Sequence, residues 1–466
     1  MSELNVSLWA DTYGPYHPEE PLRDEIRADV AIVGAGVNGL SAAFHLASCG
    51  EACDVVVLEQ DLVGSGSSGR NAGVVMTQVG WNMATIERVY GKLRAREAYE
   101  YAARSLEYTR AMIDDHQMDS DPMDRHGIMR IAMDTMWLKG LRATEAFYER
   151  LGLSGEVEPV DSDTLAQELH SPLLAGAGGL FEQNTLFVNP CKHVRELKRL
   201  ALAAGARVYE RSRVISIESG SRGVTISTPQ GAVIADTVVI AANAESHRVP
   251  CKAMPRGDQW PVYAYQIATE PLSEAEWGEI GWARRYNLEN NLQCFHWFRV
   301  TPDGRIIFGG RRLPVADAAM DRDYEPGIFA RLEKDLRAFF PALKDVRVTH
   351  RWGGTISATI DLVPHIGFVD EGRRVLRING CWGHGMSMAH LNGQLVTDLV
   401  RGKQSELTEF WIVDRKSRRW PPGPIHTLGA SAVSAALTAV DEWMLRKAER
   451  EAVDPLRRRA FGLLRA

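Results

Sequence analysis

Two rhythms of apolar residues run through the chain. Val30, Ala31, Ile32 and Val33 follow one another without a polar break, as in a strand buried on both faces. From Leu40 the spacing lengthens. Leu40, Ala43, Phe44 and Leu46 recur every one to three residues and predict one buried helix face. A second apolar run predicts a strand over 54–58. A helical pattern extends over 83–116, with Ile86, Val89, Leu93, Tyr101, Leu106, Tyr108 and Met112 as its expected core face. Further on, 126–133 reads as a strand and 137–152 as a helix. Residues 189–209 read as a helix leading into a strand, and 214–217, 224–227 and 237–241 as short strands. "FHWFRVTPDGRIIFGG" predicts two strands joined at Pro302-Asp303-Gly304. Near the end, "RWPPGP" stops any helix. Leu428, Ala432, Ala436, Val440 and Trp443 then fall at helical spacing, with Leu437 and Met444 beside them.

Length and composition narrow the class. The chain has 466 residues, 45% hydrophobic and 24% charged, which points to a globular protein of two domains with an appendage. Its net charge of −6 gives no reason to expect nucleic acid. No apolar run is long enough to span a membrane, and the first residues do not read as a signal peptide. The six cysteines are scattered without a CxxC pair, as expected of reduced cytoplasmic thiols and not of a disulfide framework or a metal site.

The first strand and helix enclose Gly34, Gly36 and Gly39 in G-x-G-x-x-G spacing, and the second strand ends at Glu59. Gly34 permits a tight turn. Gly36 lets a pyrophosphate approach the backbone, Gly39 lets helix and strand pack closely, and Glu59 accepts hydrogen bonds from a ribose. The helix N-terminus stabilises the phosphate charge. A dinucleotide site is therefore expected. A Gly/Ser-rich loop over 63–75 follows, carrying Arg70 and Asn71. It reads either as a surface linker or as a wrap of backbone N–H groups around the cofactor.

Taken with "VGSGSSGRNAG", "DTVVIAANAES", "YQIATEPL", "DGRIIFGGRR", "RWGGTISATIDLVPHIG" and "NGCWGHGMSMAHLNG", the sequence resembles the FAD-dependent D-amino-acid oxidase superfamily over roughly residues 5–410. The glycine oxidase, sarcosine oxidase and γ-glutamylputrescine oxidoreductase branches are closest in pattern. The resemblance implies an α/β fold: a Rossmann-type FAD-binding domain over 28–118, 185–248 and 345–410, interleaved with an antiparallel-sheet α+β substrate domain over 119–184 and 249–344. An N-terminal arm (1–27) and a C-terminal helical tail (411–466) complete it. It implies oxidation of a C–N bond by hydride transfer to flavin N5, giving an imine that hydrolyses, with oxygen or a quinone or electron-transfer protein as acceptor.

It also implies site residues. FAD contacts are expected from Gly34, Gly36, Val37, Asn38, Gly39, Glu59, Gln60, Ser67, Ser68, Gly69, Arg70, Asn71, Ala72, Gly73, Val214 (to adenine), Ala242, Gly353, Gly383, His384, Gly385, Met386 and Ser387. His384, Arg351 and Trp352 are expected at the flavin ring. Trp81, Tyr263, Tyr265, His296, Trp297 and Arg299 are the candidates on the amine's side, where aromatic faces attract a cation. Three departures matter. Gly354 stands where sarcosine oxidases carry the cysteine of a covalent flavin, so FAD is expected to bind noncovalently. Met386 and Ser387 replace a lysine that helps hold a substrate carboxylate, and no oxygen-activating lysine stands in "GRIIFGG". A noncatalytic FAD-binding subunit is the alternative from another class. The basic tail, including Arg446, Lys447, Arg450, Arg457, Arg458, Arg459 and Arg465, reads either as a helix packed on its own chain or a second copy, or as a peripheral contact with an anionic membrane.

Overall fold

The apolar run of the opening residues becomes strand β1 (Glu25–Val33), whose last four residues are buried. This strand belongs to a computed structural model that describes residues 6–174, 176–220, 223–290, 292–314, 322–421 and 423–453. Helix α1 (Val37–Ser48) and strand β2 (Val55–Leu58) follow β1. Next come β3 (Ile128–Ala132), β4 (Val157–Val160) and β5 (Gly178–Glu182). Helix α2 (Pro190–Ala203) leads to β6 (Arg207–Tyr209), β7 (Ser216–Gly220), β8 (Gly223–Ser227) and β9 (Ala232–Ile240). The chain continues through β10 (Trp260–Thr269), β11 (Asn287–Asn290), β12 (Trp297–Val300) and β13 (Ile306–Pro314). It ends with β14 (Val348–Ala358), β15 (His365–Phe368), β16 (Val375–Asn379), α3 (Gly385–Val400) and α4 (Gly423–Val453).

Two large sheets result. In the first, β16, β9, β1, β2 and β6 lie side by side and parallel. β8 pairs antiparallel with the first half of β9, and β7 with β8. The β1–α1–β2 unit is thus a parallel crossover, as the switch in apolar period implies. The second sheet is mostly antiparallel and runs β14-β10-β13-β12-β11-β3-β5-β4. The chain passes back and forth between the sheets, which is the interleaved α/β architecture expected of the sequence.

Two expectations need correction. The pattern over 83–116 is not one helix but two, Met83–Tyr90 and Lys92–Asp115, parted by Gly91 at φ 88°. A helix cannot continue through a positive φ, so its periodicity does not carry across. Ile86, Tyr101, Leu106 and Met112 are buried, but Val89 and Leu93 are 54% and 70% exposed. In the tail, the side of α4 bearing Leu428, Val440 and Trp443 faces solvent. Met444 and Leu445 enter the core of the second sheet instead, and the Asp441 carboxylate accepts from the N–H groups of Gln293 (2.9 Å) and Cys294 (2.7 Å). That part of the helix packs on its own chain. Arg457, Arg458, Arg459 and Arg465 lie outside the described residues. Among the described residues, no helix is long and apolar enough to cross a membrane.

Behind the first sheet, α1, α2 and α3 bury a histidine cluster. His193 Nε2 of α2 lies 2.9 Å from His390 Nε2 of α3, so one ring donates and the other accepts. On α1, His45 Nδ1 lies 2.7 Å from the Ser41 carbonyl and Nε2 2.7 Å from the Tyr108 hydroxyl. Burial holds His45 and His193 down at about 4, and His390 well below its ordinary value. These rings are neutral in the fold but take up protons once unfolded below about pH 6.5. Their contribution is therefore intact near neutrality and lost progressively as pH falls toward 4. Urea unfolding from about pH 7 to about pH 5 should show this decline. His193→Leu should make it shallower, by up to about 1.4 kcal/mol per pH unit, the equivalent of one proton.

Candidate cofactor and substrate cleft

Two helix N-termini open into one cleft. α1 starts after Gly36 and α3 after His384, and neither N-cap residue caps its helix through its own side chain. Gly36, Val37 and Asn38 from the first, with Gly383, His384, Gly385 and Met386 from the second, line the same cavity. Each helix end presents unsatisfied N–H groups and roughly half a positive charge. The two ends are held in register by the helices behind them. Asn392 Nδ2 of α3 donates to Asn38 Oδ1 of α1 at 2.7 Å. Gly393 lies so close to α1 that a Cβ there would sit 2.7 Å from the Ser41 carbonyl oxygen.

The third wall is the loop that the sequence left open between linker and cofactor wrap. It is a hydrogen-bonded element, tied to both neighbouring walls. Asn71 Nδ2 donates to the carbonyls of Ser67 and Ser68, both at 3.0 Å, and its Oδ1 accepts from Gly73 N–H at 2.6 Å. Ser68 Oγ accepts from Val37 N–H at 3.0 Å, and Ser67 Oγ bonds the Thr355 carbonyl at 2.8 Å. Arg70 Nε donates to the Gly353 carbonyl at 2.7 Å. The Arg70 carbonyl accepts from both Gln266 Nε2 and Trp352 Nε1, each at 2.8 Å. The N-terminal segment also takes part, since Trp9 Nε1 donates to the Asn71 carbonyl at 2.9 Å.

A second cavity adjoins the first and shares Gly36, Ser67, Ser68, Ala241, Asn243 and Thr355 with it, so the two form one elongated groove. Gly34, Glu59, Gln60, Val214 and Ala242 line this outer end. The Glu59 carboxylate accepts from Ala35 N–H at 2.9 Å and Asp61 N–H at 3.1 Å. Burial pushes its pKa up to about 7, against the lowering effect of those two N–H groups.

Comparison with known proteins places this geometry. The family described as FAD dependent oxidoreductase (DAO) matches residues 29–399. The chain belongs to the FAD-dependent oxidoreductase family. It is 31% identical over 416 residues to the γ-glutamylputrescine oxidoreductase of Escherichia coli K12, covering 88% of this chain and 92% of that protein. The glycine oxidase of Geobacillus kaustophilus HTA426 is 26% identical over 388 residues, covering 81% and 94%. The crystal structure of glycine oxidase from Geobacillus kaustophilus superposes with a TM-score of 0.71 at 23% identity, covering 84% of this chain and all of that one.

The groove fits FAD, the cofactor of this family, on its own geometry. Gly36 is the test. A Cβ there would lie 2.7 Å from Ser68 Oγ and would fill the gap between the first helix end and the loop. The outer groove offers the Glu59 acceptor, and the inner groove offers the second helix end. Gly39, Gly69, Gly73, Gly353 and Ser387 do not line either cavity. A Cβ on Gly69 would collide with Gly64, and one on Gly73 with the Val188 carbonyl. The Gly39 N-terminal turn packs on Gly34, the Gly353 carbonyl holds Arg70, and Ser387 Oγ accepts from Met76 N–H at 3.0 Å. These five shape the groove from behind.

Of the candidates on the amine's side, the structure brings only Trp297 to the cleft. Tyr263 and Tyr265 point to the opposite face of β10, where Tyr265 meets Phe329 edge-on and its hydroxyl donates to the Arg322 carbonyl at 2.7 Å. Their strand neighbours Ala264 and Gln266 face the cleft instead. His296 is stacked on Phe308, with Nδ1 3.1 Å from Asn290 Nδ2 and Nε2 3.4 Å from Asp335. Arg351 leaves the site altogether and donates to Glu333 at 2.8 Å. Trp352 is fully buried beneath the loop with Leu8 and Trp9. Arg299 also lies beneath it, donating to the Ala72 carbonyl under the Trp9 ring. Burial pushes its guanidinium down to about 9. Trp81 stands behind Trp382 in an edge-to-face contact of 4.9 Å.

Sequence reasoning left out Gln266, Glu289, Phe295, Thr355 and Ile356 as cleft residues and did not decide Cys381 and Trp382, all of which line it. Trp382 Nε1 donates to Thr359 at 3.0 Å. The missing signal was strand parity, which apolar pattern cannot supply when both faces of a sheet are covered. Two substitutions test the groove. Gly36→Val should yield protein without FAD. Glu59→Gln should weaken FAD binding about tenfold by replacing a carboxyl acceptor with an amide that cannot accept through both of its end atoms, read from the recovery of free-flavin fluorescence on dilution.

Proposed function

We propose that this flavoenzyme oxidises the C–N bond of an amine or amino-acid derivative to an imine, which water then hydrolyses. The observation that carries the reading is the placement of the Gly383–Met386 helix end opposite a sheet face of Trp297, Gln266 and Ala264, all around one cleft. FAD, when bound, supplies the two-electron oxidant that takes hydride from the carbon next to nitrogen. The chain's own part is orientation and electrostatics. The N–H groups of Gly385 and Met386 stand where negative charge is stabilised. The aromatic face desolvates the amine, which must be neutral to react.

The site favours an amine without a neighbouring carboxylate. Met386 and Ser387 replace the lysine of a carboxylate clamp, and Ser387 is already engaged by Met76. The kinship to a γ-glutamylputrescine oxidoreductase supports an amine of that kind as substrate. Gly354 faces the cleft with no nucleophile, and burial raises the Cys381 thiol so that little thiolate forms, both of which support noncovalent FAD. The division into a discontinuous FAD domain and a substrate domain follows the two sheets in this reading. The six cysteines are free thiols, which supports the cytoplasm as the location.

The purified protein should be yellow and should release FAD on acid denaturation. Anaerobic mixing with a panel of primary and secondary amines should bleach the flavin. A protein that no amine bleaches is not an amine oxidoreductase. Reoxidation by oxygen compared with a quinone analogue then identifies the acceptor.

A further inference from the structure

We propose that Gln266 and Gly309 set the substrate specificity of the cleft by fixing the Trp297 indole as its wall. The wall receives the alkyl chain beside the reacting amine. This inference rests on the amine-oxidation reading and names the substrate class within it.

One row of residues crosses the second sheet in register. Trp352 pairs with Gln266, Gln266 with Gly309, Gly309 with Trp297, and Trp297 with Glu289. Cross-strand partners share a face, so this row fronts the flavin loop. Within it, Gln266 Oε1 accepts from Trp297 Nε1 at 3.1 Å, and Gln266 Nε2 donates to the Arg70 carbonyl at 2.8 Å. An indole N–H only donates and a carbonyl only accepts. The amide therefore has one orientation, and turning it over would lose both bonds in a buried place. Gln266 ties the substrate's wall to the cofactor's loop.

Gly309 provides the space. A Cβ built on it would fall inside the Trp297 ring, so the indole lies flat over the strand at that position. Phe295 packs beside it, tilted by 59° with ring centroids 5.7 Å apart, and both rings line the cleft. Met76, Ala264 and Ile356 add apolar lining to the cleft, and Glu289, the cross-strand neighbour of Trp297, adds a carboxylate. A flat, immobile aromatic wall accepts methylene groups along its face. The ring face itself offers no hydrogen-bond acceptor to a charged group lying on it. Gln266 is a positioning residue. Its loss leaves the loop held at the Arg70 carbonyl by Trp352 Nε1.

The test uses holoenzyme of wild type, Gly309→Ala, Gln266→Met and Trp297→Phe, reduced anaerobically by unbranched primary amines of increasing chain length. Gly309→Ala should lift the indole into the cleft. Half-saturation should rise about tenfold or more for the longer amines, but less than about threefold for ethylamine. The limiting rate should move less than half-saturation. Gln266→Met should retain FAD with an unchanged visible spectrum and should weaken the same long amines. Combined with Trp297→Phe its effect on the long amines should be clearly less than additive, because both variants remove the shared Gln266–Trp297 hydrogen bond. Equal effects on short and long amines, or additive effects in the double variant, would overturn the inference while leaving amine oxidation standing. A wild type that no amine reduces would overturn the functional reading itself and this inference with it.

Discussion

The close crossing of α1 and α3 governs the rest of the structure. Both helices carry the positive end of their dipole toward the same groove, and each is useful only where the other end places it. Gly393 against Ser41, with the Asn392–Asn38 hydrogen bond, holds that relation. The two helices follow β1 and β16, the strands that flank β9 in the parallel sheet. The parallel sheet thus sets where the groove lies, and the crossing sets its width. The remaining walls are fitted to these two ends.

The 67–73 loop is fitted by hydrogen bonds and not by a hydrophobic core of its own. Its carbonyls receive donors from Trp9, Gln266, Arg299 and Trp352, which come from the N-terminal segment and three strands of the second sheet. A loop rich in glycine and serine has high conformational entropy when free, and these bonds remove it on folding. The same bonds couple the two sheets. The face that carries Trp297 and Gln266 cannot shift without moving the backbone that frames the cofactor groove.

Such coupling has a cost in buried polar groups. Arg299 is fully buried, so far that its guanidinium is easier to deprotonate than usual, and it is stabilised by the Ala72 carbonyl and the Trp9 and Phe187 rings. His193 and His390 share a single proton-bearing hydrogen bond between helices. An apolar pair would cost less to bury. The charged and ionisable groups remain where they orient backbone beside the groove, which is how folds commonly trade stability for a positioned site.

Local signals determined the nucleotide end from the sequence by itself. Gly34, Gly36, Gly39 and Glu59 lie within one β–α–β unit, where spacing along the chain maps directly onto spacing in space. The helix end at Gly383–Met386 was legible for the same reason, as a glycine cluster ahead of a helical period. The substrate side was not. Tyr263, Tyr265, His296 and Arg351 were reasonable by residue type, yet they point away from the cleft, and Ala264, Gln266 and Glu289 point into it. In a sheet covered on both faces, apolar residues occur on both sides of each strand and the period-two signal carries no direction. Only the register of five neighbouring strands, and the helices packed behind them, decided which alternate residue meets the cofactor loop.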